Sequence, residues 1–308
     1  MNMQIITDIL QYDKKPCAAT IGSFDGVHKG HLSMLGELRI AAAKKNLPLM
    51  VVTFATHPRR LFNSDTAPFM LTPVSDKIKK LEAAGVDICV LLDFNSEMAS
   101  MSAMQFMREV LVEHLGVKLL AVGYDHHFGK PVPGEGIDQY ITYGKELGVE
   151  VFGTRPFIVD NMAVSSSAVR RALSSGDVGL AASLLGRNYS LSGSVVHGAG
   201  IGRVLGFPTA NISLADEWLM LPLDGVYETV VVIDDATYQG VMNIGVKPTV
   251  SGKERTLEVH IIGFEGDIYG GDITVQFVRR LRGEQNFDNI NALRFQIEVD
   301  IARVKRGI

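Results

Sequence analysis

Two cysteines in 308 residues are too few for a disulfide framework. Cys17 and Cys89 each stand in an apolar, strand-like run, where a buried free thiol is expected, and this fits a reducing, cytoplasmic setting. Basic residues are not in excess. Lys and Arg number 30 against 34 Asp and Glu, a net charge of −4, which argues against nucleic acid as a partner. No apolar run approaches the roughly 20 residues that span a bilayer, so no membrane association is expected. Met1 to Asp8 lack the basic region and apolar stretch of a secretory leader. Internal repeats and low-complexity tracts are also missing. The hydrophobic content of 46% suits a chain with a sizeable core, and the length favours two modest domains over one.

Against this background one stretch stands out, Gly22-Ser23-Phe24-Asp25-Gly26-Val27-His28-Lys29-Gly30-His31. It follows the apolar run Cys17–Ile21 and precedes a helix-like segment, Leu32 to Lys45. Strand, glycine-rich turn and helix start follow one another. A helix start offers free N–H groups and the positive end of the backbone dipole, which together hold phosphate. His28 and His31 are three apart, so a helical turn places them on the same side. Two imidazoles there can stabilise charge growing on a phosphoryl oxygen.

The string resembles the HxGH signature of the nucleotidyltransferase superfamily. In its fuller form, GSFDGVHKGH, it is similar to the bifunctional riboflavin kinase/FAD synthetases of bacteria. The resemblance implies that Gly22, Phe24, Asp25 and Gly30 lie at bound nucleotide and that His28 and His31 serve adenylyl transfer.

The rest of the first half alternates strand-like and helix-like segments. Leu49–Phe54 and Ile88–Leu92 are continuous apolar runs, as in strands covered on both faces. Leu119–Val122 and Val149–Phe152 read as further strands. Ser75–Ala84, Ala103–Leu115 and Asp138–Leu147 read as helices, each followed by a glycine stop. This rhythm predicts an α/β domain of Rossmann-like type, a parallel sheet with helices on both faces. Ligands in such sheets sit beyond the carboxyl ends of the strands. Ala168–Leu173 and Val178–Leu185 read as short helices, and the domain boundary is placed near Gly186, giving 1–186 and 187–308.

Three more strings follow the resemblance. Thr53-Phe54-Ala55-Thr56-His57-Pro58-Arg59 partly matches an FDPHP-like element, with Ala55 and Thr56 as departures. Gly123-Tyr124-Asp125-His126-His127-Phe128-Gly129 resembles an element that lies over nucleotide and flavin. It implies a nucleotide contact for Asp125 and a flavin contact for Phe128, while His127 stands where an arginine is common. Val164 to Arg170, VSSSAVR, resembles an SSTxIR element. A serine-rich helix start with an arginine one turn on can clamp phosphate through Ser165, Ser166 and Arg170; plain helix capping is the other reading of the serines.

After Gly186 strand signals dominate. Val226–Ile233, Tyr238–Ile244, Leu257–Phe264 and Ile273–Val278 are separated by turn material, which predicts a small antiparallel β-barrel. Ile290, Leu293, Ile297, Ile301 and Val304 recur at helical spacing, with Asp288 or Asn289 as cap, so a terminal helix packs on the barrel. The glycines of Gly198 to Asn211 (GAGIGRVLGFPTAN) let backbone approach phosphate, and Pro208 favours extended geometry before it. In an extended segment Thr209 and Asn211 point the same way, and their oxygens can hold Mg²⁺ with nucleotide phosphates. Glu258 and His260 share one face of a strand.

GRVLGFPTAN closely resembles the riboflavin kinase signature. That resemblance implies nucleotide contacts for Gly202, Arg203, Gly206 and Pro208, metal contacts for Thr209 and Asn211, and a general-base role for Glu258. Phe264 to Gly270 and the Leu281-Arg282-Gly283-Glu284 string match further elements, the latter in a flavin-covering loop. Arg282 and Glu284 then belong to a lid or to a surface salt bridge. The resemblance runs from Gly22 to the last helix. It implies ATP-dependent phosphorylation of riboflavin to FMN in the second domain and adenylylation of FMN to FAD in the first, with ATP as co-substrate and Mg²⁺ as cofactor. Another HxGH transferase and a non-catalytic flavin or nucleotide sensor are the competing readings.

Overall fold

The computed structural model describes residues 2–56, 69–124, 126–130, 132–198, 200–249 and 252–307. Asp125 and the string His57-Pro58-Arg59 lie outside them. The chain divides into two compact units, Met1–Ser166 and Ser167–Ile308.

The first unit is built on a six-stranded parallel sheet in the order β1-β4-β3-β2-β5-β6. The strands are β1 (Gln4–Ile6), β2 (Cys17–Ile21), β3 (Leu49–Phe54), β4 (Ile88–Leu92), β5 (Val117–Val122) and β6 (Glu150–Gly153). Every residue of β2 and β4 is buried, as their unbroken apolar sequence requires of strands covered on both faces. Alternate residues feed two separate cores. Ala18, Val51, Cys89 and Leu119 meet Leu35 and Leu38 of α1 (Lys29–Ala43) and Leu81 of α2 (Val74–Ala83). Cys17, Met50, Val90 and Leu120 meet the other face, formed partly by α4 (Ala103–Phe106) and α5 (Ile137–Leu147). A short helix, α3 (Ser96–Ser100), precedes α4, and the chain continues beyond α4 as a π-helix, Met107–His114, where the sequence predicts one α-helix to Leu115. A two-stranded ribbon, β7 (Ile158–Val159) and β8 (Met162–Ala163), follows β6. β1 escapes the sequence reading because it has only three residues, two of them exposed.

The second unit begins within α6 (Ser166–Ser174) and includes α7 (Val178–Leu185). Its centre is a closed barrel in the order β10-β13-β12-β11-β14-β9. The strands are β9 (Tyr189–Val196), β10 (Thr209–Leu214), β11 (Gly225–Ile233), β12 (Ala236–Thr249), β13 (Gly252–Ile261) and β14 (Asp272–Arg282). All its neighbours are antiparallel, as expected. A four-residue helix, α8 (Ile201–Val204), precedes β10. α9 (Ile290–Arg306) closes the chain, and Asn289 rather than Asp288 is its cap, accepting from the Ala292 amide at 3.0 Å. Ile297, Ile301 and Val304 pack it on Val226 and Val241 of the barrel. Compactness divides the chain earlier than Gly186 for a packing reason: α7 lies against β9 and β14, and the Leu223 amide donates to the Leu173 carbonyl at 2.9 Å.

Candidate active sites

β2 has β3 on one side and β5 on the other. The chain winds outward from β2 to β3 and β4, then returns to β5, so the strand order reverses at β2 and β5. A crevice at such a switch point is where open α/β sheets bind ligands. The turns after β2 and β5 meet there: a Cβ on Gly22 would lie 3.9 Å from the His126 ring.

The turn after β2 is strained. Phe24 and Val27 take φ of 49° and 39°, a left-handed region that is costly for a bulky or β-branched residue. Several anchors hold it. The Asp25 carboxylate accepts from the amides of Leu71 (2.9 and 3.1 Å) and Thr72 (3.1 Å). Ser166 donates its hydroxyl to the Asp25 carbonyl at 2.8 Å. Phe24 is fully buried, with its ring centroid 4.8 Å from that of His31. Phe24, Asp25 and Ser166, expected at nucleotide, are thus engaged in shaping the turn. Gly30 has a packing reason of its own: a Cβ there would press on the Val164 carbonyl oxygen at 3.0 Å and His28 Nδ1 at 3.1 Å.

The two histidines share a side, as their spacing predicts. Their rings stack at 3.6 Å and 13°. His28 is the N-cap of α1, its Nδ1 accepting from the His31 amide at 3.2 Å. In the neutral ring the proton then sits on Nε2, so His28 presents an N–H. Ser165 and Arg170 are half-buried, Arg170 within α6. Phe128, expected at flavin, is buried, its ring stacked on Tyr140 at 4.5 Å, which makes it a core residue of the second face.

Lys77 on α2 is one residue that sequence reasoning missed. It is only 6% exposed, and its Nζ donates to the carbonyls of Ser23 (3.2 Å) and Phe54 (2.9 Å) and to Thr53 Oγ1 (3.1 Å). Thr53 Oγ1 in turn donates to the Ser23 carbonyl at 3.1 Å. Burial lowers the Lys77 ammonium from 10.5 to about 8, against the opposing pull of Asp25 and Cys89. A lysine in a helix with several others carries no sequence signal that it is buried.

Two cavities open on the barrel among the described residues. One, of about 450 Å³, is bounded by His197, Arg203, Pro208, Thr209, Asp267 and Tyr269. His197 and Tyr269 stack with centroids 3.9 Å apart, and Arg203 Nη2 lies 3.5 Å from Tyr269 Oη. The other, of about 340 Å³, has apolar walls from Phe207, Phe287, Leu293 and Ile297, with Glu258 and Arg282 among its polar groups. Thr209 borders both.

β10 sets Thr209 opposite His260 and Asn211 opposite Glu258 of β13. Thr209 Oγ1 donates to Glu258 Oε2 at 3.4 Å, and His260 Nδ1 lies 2.9 Å from the Pro208 carbonyl. The residues on either side of Glu258 on β13, Leu257 and Val259, are buried, so Glu258 and His260 share the opposite face as the period-2 pattern predicts. The loop leading in needs its glycines. Gly206 has φ of 88°, and a Cβ on Gly202 would strike the Phe207 carbonyl at 2.5 Å.

Arg282 is neither a free lid residue nor a surface ion pair. Its Nε and Nη2 both reach Asp300 Oδ2 at 2.9 Å, and Gln296 Nε2 donates to Asp300 Oδ1 at 2.9 Å. Asp300 is 1% exposed and was not singled out in the sequence. Glu284 borders the apolar cavity. Among the described residues no cluster of three or more His, Cys, Asp or Glu could hold a metal. The hard oxygens of Thr209, Asn211 and Glu258 fit a Mg²⁺ that takes its other ligands from phosphate and water.

A glycine-rich turn at a parallel-sheet switch point and a closed antiparallel barrel with cavities on it define a tandem α/β and β-barrel protein with a candidate site on each scaffold. Comparison with known proteins makes the class particular. A family model described as FAD synthetase matches residues 10–168, and one described as riboflavin kinase matches 185–308. A bifunctional riboflavin kinase/FMN adenylyltransferase of Escherichia coli K12 is 40% identical over 296 residues, covering 96% of this chain and 94% of that protein. One from Pseudomonas fluorescens is 40% identical over 306 residues, covering 98% and 97%. A solved structure described as a macrolide-efflux protein from Streptococcus pneumoniae is 30% identical with a TM-score of 0.88, covering 99% of each chain. No helix among the described residues is long and apolar enough to cross a membrane. The chain belongs to the bifunctional riboflavin kinase/FMN adenylyltransferase family.

Proposed function

We propose that the barrel phosphorylates riboflavin to FMN and that the α/β unit then adenylylates FMN to FAD, each with its own ATP. The observation that carries the kinase reading is that Thr209 borders both barrel cavities. A nucleotide in the polar cavity, near Arg203 and the loop Gly202–Pro208, meets there a flavin in the apolar one. Glu258, at the same junction, takes the proton from the ribityl hydroxyl as that oxygen attacks the γ-phosphorus. Thr209 and Asn211 would hold Mg²⁺, which offsets the charge of the transferring phosphate. Arg282 and Glu284 line the flavin side.

In the α/β unit the nucleophile is the FMN phosphate itself, which needs no general base. Catalysis there is positioning plus charge stabilisation. His28 Nε2–H and His31 face the charge developing on the α-phosphoryl group, pyrophosphate leaves, and Gly22 and Gly30 let the backbone come close. From the VSSSAVR motif, Ser165 is proposed to donate a hydrogen bond to phosphate and Arg170 to neutralise it. We keep the functional boundary between the two activities near Gly186, close to the start of the riboflavin kinase match at residue 185. A cytoplasmic location fits a chain with two buried free thiols.

Purified protein given riboflavin, ATP and Mg²⁺ should yield FMN and then FAD with pyrophosphate. Flavin binding without any turnover would favour the sensor reading, and FAD from FMN without FMN from riboflavin would remove the barrel's assigned role.

A further inference from the structure

Resting on the adenylyltransferase reading, we infer that Lys77 is a positioning residue for that reaction: its buried ammonium ties the ends of β2 and β3 together and holds the strained HxGH turn in its working shape. The geometry is specific. All three Nζ protons are used, two on the carbonyls of Ser23 and Phe54 and one on Thr53 Oγ1. These acceptors belong to the first residues of the turn and to the last residues of β3, the strand ends at which the switch-point crevice opens.

A carbonyl turned toward a polyphosphate would repel it. Ser23 O is instead drawn by both Lys77 and Thr53. Beyond Ser23 come the left-handed Phe24 and Val27, which persist only if their surroundings over-determine them. Asp25 and Ser166 fix the middle of that turn, and Lys77 fixes its start. A neutral hydrophobic contact could join α2 to the sheet without desolvating an ammonium. Keeping the ammonium there fits a demand on shape and charge at this turn. Lys77 touches no substrate in this account. It acts through the turn that carries His28.

The test uses full-length Lys77→Met and Thr53→Val, with Thr53→Val/Lys77→Met as the double variant. Riboflavin kinase turnover is measured on each preparation as an internal control, and thermal melting follows each fold. For Lys77→Met, kcat of FMN adenylylation should fall about 10²-fold, the loss that a misplacement of about 1 Å produces. KM for FMN and ATP should change far less, and kinase turnover should stay as in the wild type. Thr53→Val should give a smaller loss in the same direction, and the double variant should lose less than the two losses combined, since both residues act on Ser23 O. If Lys77→Met does not fold, Thr53→Val decides alone. Folded variants with wild-type adenylylation, or with a loss confined to KM, would overturn the inference. A wild-type protein that makes no FAD from FMN and ATP would instead refute the underlying functional reading.

Discussion

His28 caps α1 and is proposed to act in adenylyl transfer, and a single substitution can separate the two. Its Nδ1 caps α1 and its Nε2 is the group assigned to catalysis. Asparagine at this position can still cap a helix but brings no imidazole. His28→Asn should therefore keep the melting temperature close to wild type and lose FAD formation, whereas His28→Ala should lose both FAD formation and about 1 kcal/mol of stability. Equal activity loss with equal melting in both variants would leave the cap without an energetic role. At this scale the sequence told, from a spacing of three, that the rings of His28 and His31 share one side. It was silent on what buried side chains touch. Nothing in the order of residues told that Asp25 would clamp Leu71 and Thr72, that Phe128 would sit on Tyr140, or that Asp300 would pin Arg282. Those contacts are made across 18 to 47 residues of chain or within a core that only the fold assembles.

Secondary-structure elements were legible wherever the burial pattern was strong. β2, β3 and β4 are continuous apolar runs, and the ends of α7 and α9 carry glycines in the left-handed conformation. β9 and β10 were not marked as strands although burial alternates along both: serines, Gly193 and Asn211 take many of the places that β-branched and aromatic residues fill in the other barrel strands, and their pairing comes from barrel closure. Two predictions belong to whole elements. Asp300 joins α9 to the end of β14, and Asp300→Ala leaves Arg282 without its buried partner. Urea unfolding should show a loss of about 3–5 kcal/mol in the barrel unit, with a raised KM for riboflavin. An unchanged urea midpoint would show that the pair does not secure the helix. The docking of α2 has a pH signature. Because Lys77 is lowered to about 8 in the folded chain against 10.5, the unfolded chain holds the extra proton between those values. Stability from this group therefore rises as pH increases from about 8 to 10.5 and is flat below. The difference in urea stability between Lys77→Met and wild type, measured at pH 7 and at pH 10, should shift in favour of wild type at the higher pH. A constant difference would show that Lys77 titrates normally.

For the molecule as a whole, the order of motifs along the chain foretold two activities, and the two compact units give each its own scaffold. The sequence reading put the domain boundary near Gly186, whereas packing groups α7 with the barrel unit, because a helix joins whichever apolar surface it covers. Separate sites imply that one can be silenced without the other, so His28→Asn and Glu258→Ala should complement when mixed. The direct measurement is chromatography of flavins after incubating each variant with ATP and Mg²⁺ plus riboflavin or FMN. His28→Asn should turn riboflavin into FMN and stop there, while Glu258→Ala should leave riboflavin untouched yet convert supplied FMN into FAD. Loss of both reactions in either folded variant, or FAD appearing from riboflavin in both, would contradict the assignment of one reaction to each unit.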